Sequence, residues 1–147
     1  MKRMRKAALP KSGVRAPRLQ PAYRAEQMSS IVIIEEDDLM HGLLKEWLTA
    51  EGYAVRGQRL HELSGTEGAD LVIVDLYRPR ETGAEGVLAV QQAYPGVPVI
   101  AISAQFRPGL ESSWWAARAL GVQHLMAKPF TREDLLAAVR AIVGQPG

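Results

Sequence analysis

Apolar residues along this chain fall into two alternating patterns. Ser30-Ile-Val-Ile-Ile34, Asp70-Leu-Val-Ile-Val-Asp75-Leu76, Val97 to Ser103 and Val122 to Ala127 are apolar runs too short for helices. Runs of this kind read as strands buried on both faces. Tyr53-Ala-Val55 is a weaker strand. Between the runs the apolar residues take helical spacing. Met40, Leu43, Leu44, Trp47 and Leu48 fall at i, i+3, i+4, i+7 and i+8, and Gly52 marks the stop. Gly83 opens a helix that carries Val87, Leu88, Val90 and Tyr94 and ends at Pro95-Gly96. A third helix runs from about Trp114 to Leu120 and ends at Gly121. Thr131 and Asp134 have capping-box spacing before a helix whose buried face is Leu135, Leu136, Val139, Ile142 and Val143, with Gly144 as its stop. Leu60 to Leu63 gives at most a turn or two. This alternation of strands and helices predicts a parallel sheet covered by helices on both faces.

The residues that end the strands carry the chemistry. The first strand ends on Glu35-Glu36, followed by Asp37 and Asp38; the third ends on Asp75, the fourth on Ser103 and the fifth on Lys128. In a parallel sheet all these ends share one edge, where open α/β sheets bind ligands. Each residue alone has a plain structural use, and Asp37 or Asp38 suits the cap of the following helix. Together, three carboxylates, a hydroxyl and an ammonium suit phosphoryl transfer. Clustered carboxylates without His or Cys suit Mg²⁺, which takes oxygen ligands and keeps some waters. An Asp beside such an ion can accept a phosphoryl group, while Lys and Ser hold its oxygens. There is no Walker A loop and no GxGxxG, so no bound nucleotide is expected.

Charge and composition narrow the classes further. The chain has 147 residues, enough for one domain with a real core, and no cysteine, which excludes disulfides, thiol catalysis and Cys-based zinc sites. The net charge of +2 hides a division. Residues 1–28 hold eight basic residues and one acid, Glu26. The remainder holds ten basic and fifteen acidic residues, a formal charge of about −5. The first 28 residues contain three prolines and no apolar periodicity, so they read as a disordered basic tail, with the folded domain at 29–147. That tail is either a solvated leader, with Met28 as an alternative start, or a basic arm for an acidic partner, a lipid or nucleic acid. The acidic body itself is not expected to bind nucleic acid. No apolar run approaches a membrane span and no secretory h-region follows the basic start, so the expected location is cytoplasmic.

With these segments in view the chain resembles the receiver domain of two-component response regulators, over residues 30–144. Ile-Val-Ile-Ile-Glu35-Glu36-Asp37 resembles the acidic strand end of that family. Asp70 to Leu76, with Pro79 and Gly83, resembles its phosphoacceptor segment. Val-Ile-Ala-Ile-Ser103-Ala104 resembles its hydroxyl segment, and Lys128-Pro129-Phe130 its lysine motif. The resemblance implies a flavodoxin-like fold of strand order 2-1-3-4-5. It implies that Asp75 accepts a phosphoryl group from a histidine kinase or phosphotransfer protein, with Ser103 and Lys128 on the phosphoryl oxygens. Glu36, Asp75 and the Tyr77 carbonyl would ligand Mg²⁺ directly and Glu35 through water, and the Lys128–Pro129 bond would be cis. No effector domain follows Gly147, so the expectation is a stand-alone receiver, not an enzyme, signalling to a downstream protein target.

The chain also departs from the family pattern. Glu36 stands where the family usually has Asp, and its extra methylene alters the reach to a metal. Leu125 replaces the usual switch Tyr or Phe, so coupling to Ser103 must take another form. The segment around Leu60–Glu67 is short, which cuts down the second helix, and the Gln105–Ser113 loop is long. Trp114 and Trp115 point about 100° apart on a helix, so they read either as one core and one half-exposed ring or as a partner-docking anchor. His41, His61 and His124 show no ligand spacing and read as structural or surface residues. The rival function is an atypical receiver that serves as a phosphorylation-independent interaction module. A phosphate-ester hydrolase with an Asp nucleophile shares the chemistry but lacks the chain for a substrate cap.

Overall fold

The apolar runs become one five-stranded parallel sheet. The computed structural model describes residues 28–65, 68–79, 81–107 and 114–145, without the side chains of Trp114 and Trp115. The expected tail, Met28 aside, lies outside the described residues. In chain order the elements are β1 (Ser30–Ile34), α1 (Asp38–Ala50), β2 (Ala54–Gln58), a 3₁₀ turn (Leu60–Glu62), β3 (Leu71–Asp75), α2 (Gly83–Ala93), β4 (Val99–Ser103), α3 (Trp114–Leu120), β5 (His124–Ala127) and α4 (Arg132–Val143). The strand order is β2-β1-β3-β4-β5 with every pair parallel, the flavodoxin-like arrangement expected from the sequence.

Strand alternation divides the core into two layers. Ile31, Ile33, Leu71, Ile73, Ile100, Ile102 and Met126 pack with Leu44 and Leu48 of α1 and with Leu135, Leu136 and Val139 of α4. Val32, Ile34, Val72, Val74, Val99, Ala101, Leu125 and Ala127 face the other way, onto Val87 and Val90 of α2 and Ala117 of α3. Neighbouring strands therefore send side chains to the same layer at matched register, and both faces are covered. Each fully buried aliphatic side chain contributes roughly 1.5–3 kcal/mol.

The helix signals act as their chemistry dictates. Asp37 Oδ1 accepts from the Leu39 and Met40 amides at 2.9 and 3.1 Å, which caps α1. Thr131 Oγ1 accepts from the Asp134 amide at 3.0 Å and Asp134 Oδ2 from the Thr131 amide at 3.2 Å, a full capping box on α4. Gly52 follows α1 at φ 104°, in the left-handed region that favours glycine.

Some expectations are corrected. β2 extends past Val55 to Gln58, because an edge strand that is only half buried tolerates Arg56, Gly57 and Gln58. β4 begins at Val99 and β5 at His124, each two residues later than expected. Leu43 and Leu88 are exposed. The buried face of α2 is Gly83, Gly86, Val87 and Val90, and Leu88 sits one step, about 100°, round from Val87.

The shortened second helix is a single 3₁₀ turn, and Tyr94 secures the segment around it. The Tyr94 ring is buried, and its hydroxyl lies 2.6 Å from Gln58 Oε1 and 2.8 Å from the Ser64 carbonyl. One proton serves one acceptor at a time, and Gln58 Nε2 also donates to the Ser64 carbonyl, at 2.9 Å. Gly65 then passes so close to the Ala93 carbonyl that any Cβ would overlap it. Only glycine permits that approach between the segment and the end of α2.

Candidate functional site

Three charged strand ends meet at the carboxyl edge of the sheet. Glu35 directly follows β1, Asp75 ends β3 and Lys128 directly follows β5. Lys128 Nζ donates to Asp75 Oδ2 at 3.0 Å and to Glu35 Oε1 at 3.2 Å. The Glu35 side chain is fully buried, that of Asp75 is 6% exposed and that of Lys128 is 18% exposed. The Lys128–Pro129 peptide is cis, as the resemblance implies. The Lys128 amide donates to the Ser103 carbonyl at 3.0 Å, which ties the β5 end to the β4 end.

The charges do not balance within this trio. One ammonium faces two carboxylates, in a place where little water can screen them. Burial, reinforced by a hydrogen bond to Asp75 and by its charge, pushes the Glu35 carboxyl up to about 7, against the pull of Lys128 and the Asp37 amide. Burial acts to lower the Lys128 pKa, but the hydrogen bond and charge of Asp75, joined by those of Glu35, outweigh it and hold the ammonium above its ordinary value. Asp37 adds no carboxylate here: its amide donates to Glu35 Oε2 at 3.2 Å while its side chain caps α1.

Ser103 ends β4 and is 1% exposed. Its register partner is Ala127, one residue before Lys128, so both belong to the same edge as Asp75. Its Oγ accepts from the Gln105 amide at 3.0 Å, at the start of the loop toward α3. Leu125 is 1% exposed and pairs with Ala101, inside the layer that contacts α2 and α3. Tyr77, two residues past Asp75, is 64% exposed. Trp114 and Trp115 open α3, with side chains outside the described set.

Glu36 takes a different direction from Glu35. Its Oε1 accepts from Arg59 Nη1 at 2.8 Å and its Oε2 from the Leu60 amide at 3.3 Å. Burial works against the ionised form, but these two donors, joined by the charges of Arg59 and His61, outweigh it and hold the Glu36 carboxyl below its ordinary pKa. The structure thus brings together Glu35, Asp75 and Lys128 and turns the Glu36 side chain toward the 3₁₀ turn. Sequence reasoning missed Arg59, since nothing local marks a residue 23 positions from its partner. Among the described residues no cluster of three or more His, Cys, Asp or Glu side chains is arranged to hold a metal. The donor chemistry still fits a hard cation. Glu35 and Asp75 are adjacent oxygen donors whose mutual repulsion a divalent ion would relieve, and Mg²⁺ needs only one or two carboxylates beside its waters.

Comparison with known proteins agrees with this geometry. The family model described as the response regulator receiver domain matches residues 31–140. The transcriptional regulatory protein CpxR of Escherichia coli K12 is 30% identical over 120 residues, covering 79% of this chain and 50% of CpxR. The chain spans about half the length of the curated relatives it matches. Among solved structures, the chemotaxis protein CheY4 of Vibrio cholerae aligns with a TM-score of 0.64 at 22% identity, covering 78% of this chain and 98% of CheY4. A response regulator from Burkholderia pseudomallei, solved with a phosphorylated aspartic acid, calcium ion and citrate, aligns at 0.59 and 23% identity over 75% of this chain and 65% of that one. No helix among the described residues is long and apolar enough to cross a membrane. Sheet order, the acid–lysine edge and the family match lead to one assignment: this chain belongs to the response regulator receiver domain family.

Proposed function

We propose that this receiver accepts a phosphoryl group on Asp75 from the phosphohistidine of a histidine kinase or phosphotransfer protein. The observation that carries the reading is the shared ammonium of Lys128, 3.0 Å from the Asp75 carboxylate. An Asp75 oxygen attacks phosphorus, the P–N bond to the imidazole breaks, and an acyl phosphate remains. Lys128, already at the Asp75 oxygen, moves its hydrogen bond to the incoming phosphoryl oxygens. Ser103 donates to a second one after its hydroxyl turns from the Gln105 amide.

A divalent cation, Mg²⁺ in this reading, would neutralise charge on the transferring group. The Burkholderia pseudomallei response regulator was solved with a calcium ion, which like Mg²⁺ is a hard cation. Asp75, Glu36 and the Tyr77 carbonyl are the proposed direct ligands, with Glu35 acting through water. Output passes through protein contact, along the loop that begins at Ser103 and the Trp114-Trp115 start of α3, since Leu125 offers no ring to rotate. The protein is a signalling acceptor in this reading, not an enzyme with an external substrate, and it works in the cytoplasm with its kinase.

The test is incubation with acetyl phosphate and Mg²⁺ followed by intact-mass measurement. The parent should gain one base-labile phosphoryl group and Asp75→Asn none. A parent that stays unmodified while still binding a protein target would instead favour the phosphorylation-independent interaction module.

A further inference from the structure

The Glu36 carboxylate has both oxygens in use, and neither partner belongs to the Asp75 pocket. Arg59 Nη1 takes Oε1 at 2.8 Å and the Leu60 amide takes Oε2 at 3.3 Å. Arg59 Nη2 lies 3.6 Å from Asp38, so the guanidinium spans two of the four acids that follow β1. Arg59 and Glu35 both line one polar cleft of about 350 Å³, together with Asp38, His41 and Glu62. The Glu36 side chain is itself 37% exposed, so it can leave Arg59 through solvent.

We propose that Arg59 is an internal competitor for the cation of the Asp75 pocket. The inference rests on the reading of that pocket as cation-dependent. Glu36 serves either Arg59 and Leu60 or the ion, because its side chain is directed to the β2 end and must leave both donors to turn toward Asp75. Glutamate permits this where aspartate would not, since its extra methylene lets the carboxylate reach across to the β2 end. Arg59 is thus a positioning residue that sets cation affinity without touching the ion. By linkage the effect is reciprocal: the ion must loosen the Arg59–Glu62 corner by the same factor that the corner weakens the ion.

The size of the effect follows from exposure. Arg59 and Glu36 side chains are 48% and 37% exposed, and half-exposed pairs of this kind shift an equilibrium by roughly two- to fivefold. Removing Arg59 also removes a positive charge that repels any cation, so the test must separate competition from plain electrostatics. Mn²⁺ binding, measured by the EPR signal of the free ion, would be compared in the parent, Arg59→Ala, Arg59→Lys, Glu36→Gln, Asp75→Asn and the Glu36→Gln/Arg59→Ala double variant. Competition predicts that Arg59→Ala tightens binding about two- to fivefold in the parent and changes it far less in the Glu36→Gln background. Arg59→Lys keeps the charge but loses the fork, and should still tighten binding. Saturating Mg²⁺ should speed hydrogen exchange at the Leu60 amide in the parent.

An equal effect of Arg59→Ala in both backgrounds would reduce the role of Arg59 to net charge and overturn the proposal. So would a Leu60 amide indifferent to Mg²⁺. If Glu36→Gln binds Mn²⁺ as tightly as the parent while Asp75→Asn does not, the competitor is refuted and the pocket reading survives. If neither the parent nor any variant binds the ion, the pocket reading fails as well.

Discussion

Replacing Lys128 by Met tests the site through stability alone. The side chains are close in length, so packing changes little, but two carboxylates lose the one ammonium beside them among the described residues. Glu35 has a fully buried side chain and that of Asp75 is 6% exposed, so water compensates poorly. Breaking a buried pair by removing one partner costs about 3–5 kcal/mol. Two features reduce that figure here. The Lys128 side chain retains 18% exposure, and Glu35 already sits at about 7, so it takes up a proton in preference to staying charged. About 2–3 kcal/mol is then the expected loss. For a folded region of this size each kcal/mol shifts Tm by roughly 3–5 °C, so the melting temperature in EDTA should fall by about 6–15 °C.

Asp75→Asn should behave in the opposite way. It removes one of two repelling carboxylates and leaves Lys128 with Glu35 at 3.2 Å, so it should match or exceed the parent's Tm. The double variant Asp75→Asn/Lys128→Met should be less stable than Asp75→Asn alone by less than Lys128→Met costs the parent, because the lysine then has one buried partner to lose instead of two. Mg²⁺ should recover part of the loss in Lys128→Met and none of it where Asp75 is also gone. Differential scanning calorimetry with and without Mg²⁺ reads all of this. A Lys128→Met protein that melts within 2 °C of the parent in EDTA would refute the claim that this ammonium balances the pair.

Thr131→Ala removes the acceptor at 3.0 Å from the Asp134 amide and should lower stability by about 1 kcal/mol in urea unfolding, with the m-value unchanged. Gly65→Ala should cost more, about 2 kcal/mol or above, because its Cβ meets the Ala93 backbone carbonyl and not a movable side chain. Deleting residues 1–28 should leave Tm within a degree or two of the full chain, and a drop of several degrees would show that the tail packs on the domain. Phosphorylation should change tryptophan emission or exchange protection over residues 104–116 and leave the Leu125 amide nearly silent; the reverse pattern would place the switch on β5.

The sheet was legible because burial on both faces forces an unbroken apolar run, and β1, β3 and β4 have one. The same rule hid half of β2, where an edge strand accepts Arg56, Gly57 and Gln58. Helix caps were legible because Asp37, Thr131 and Asp134 act on amides within three residues. Leu43 and Leu88 show the limit of periodicity: a leucine at helical spacing marks a face, but the neighbouring layer decides how wide that face is. For the site, strand-end chemistry was enough to place Asp75, Ser103 and Lys128 at one edge of the sheet. The resemblance implied Glu36 as the direct ligand and Glu35 through water, whereas it is Glu35 that turns inward to Lys128, because two adjacent residues of one type carry no signal of direction. That choice depends on Arg59 and the Leu60 amide, brought to Glu36 by the β1–β2 register that pairs Ile34 with Gln58. A competitor of this kind is invisible to any motif, since it lies on a strand end that contributes no ligand. Its physical requirement is only a guanidinium within reach of a glutamate long enough to turn away. If competition holds, this receiver should be less readily loaded with Mg²⁺ than its acid count suggests, and the residue that sets the difference is outside the pocket.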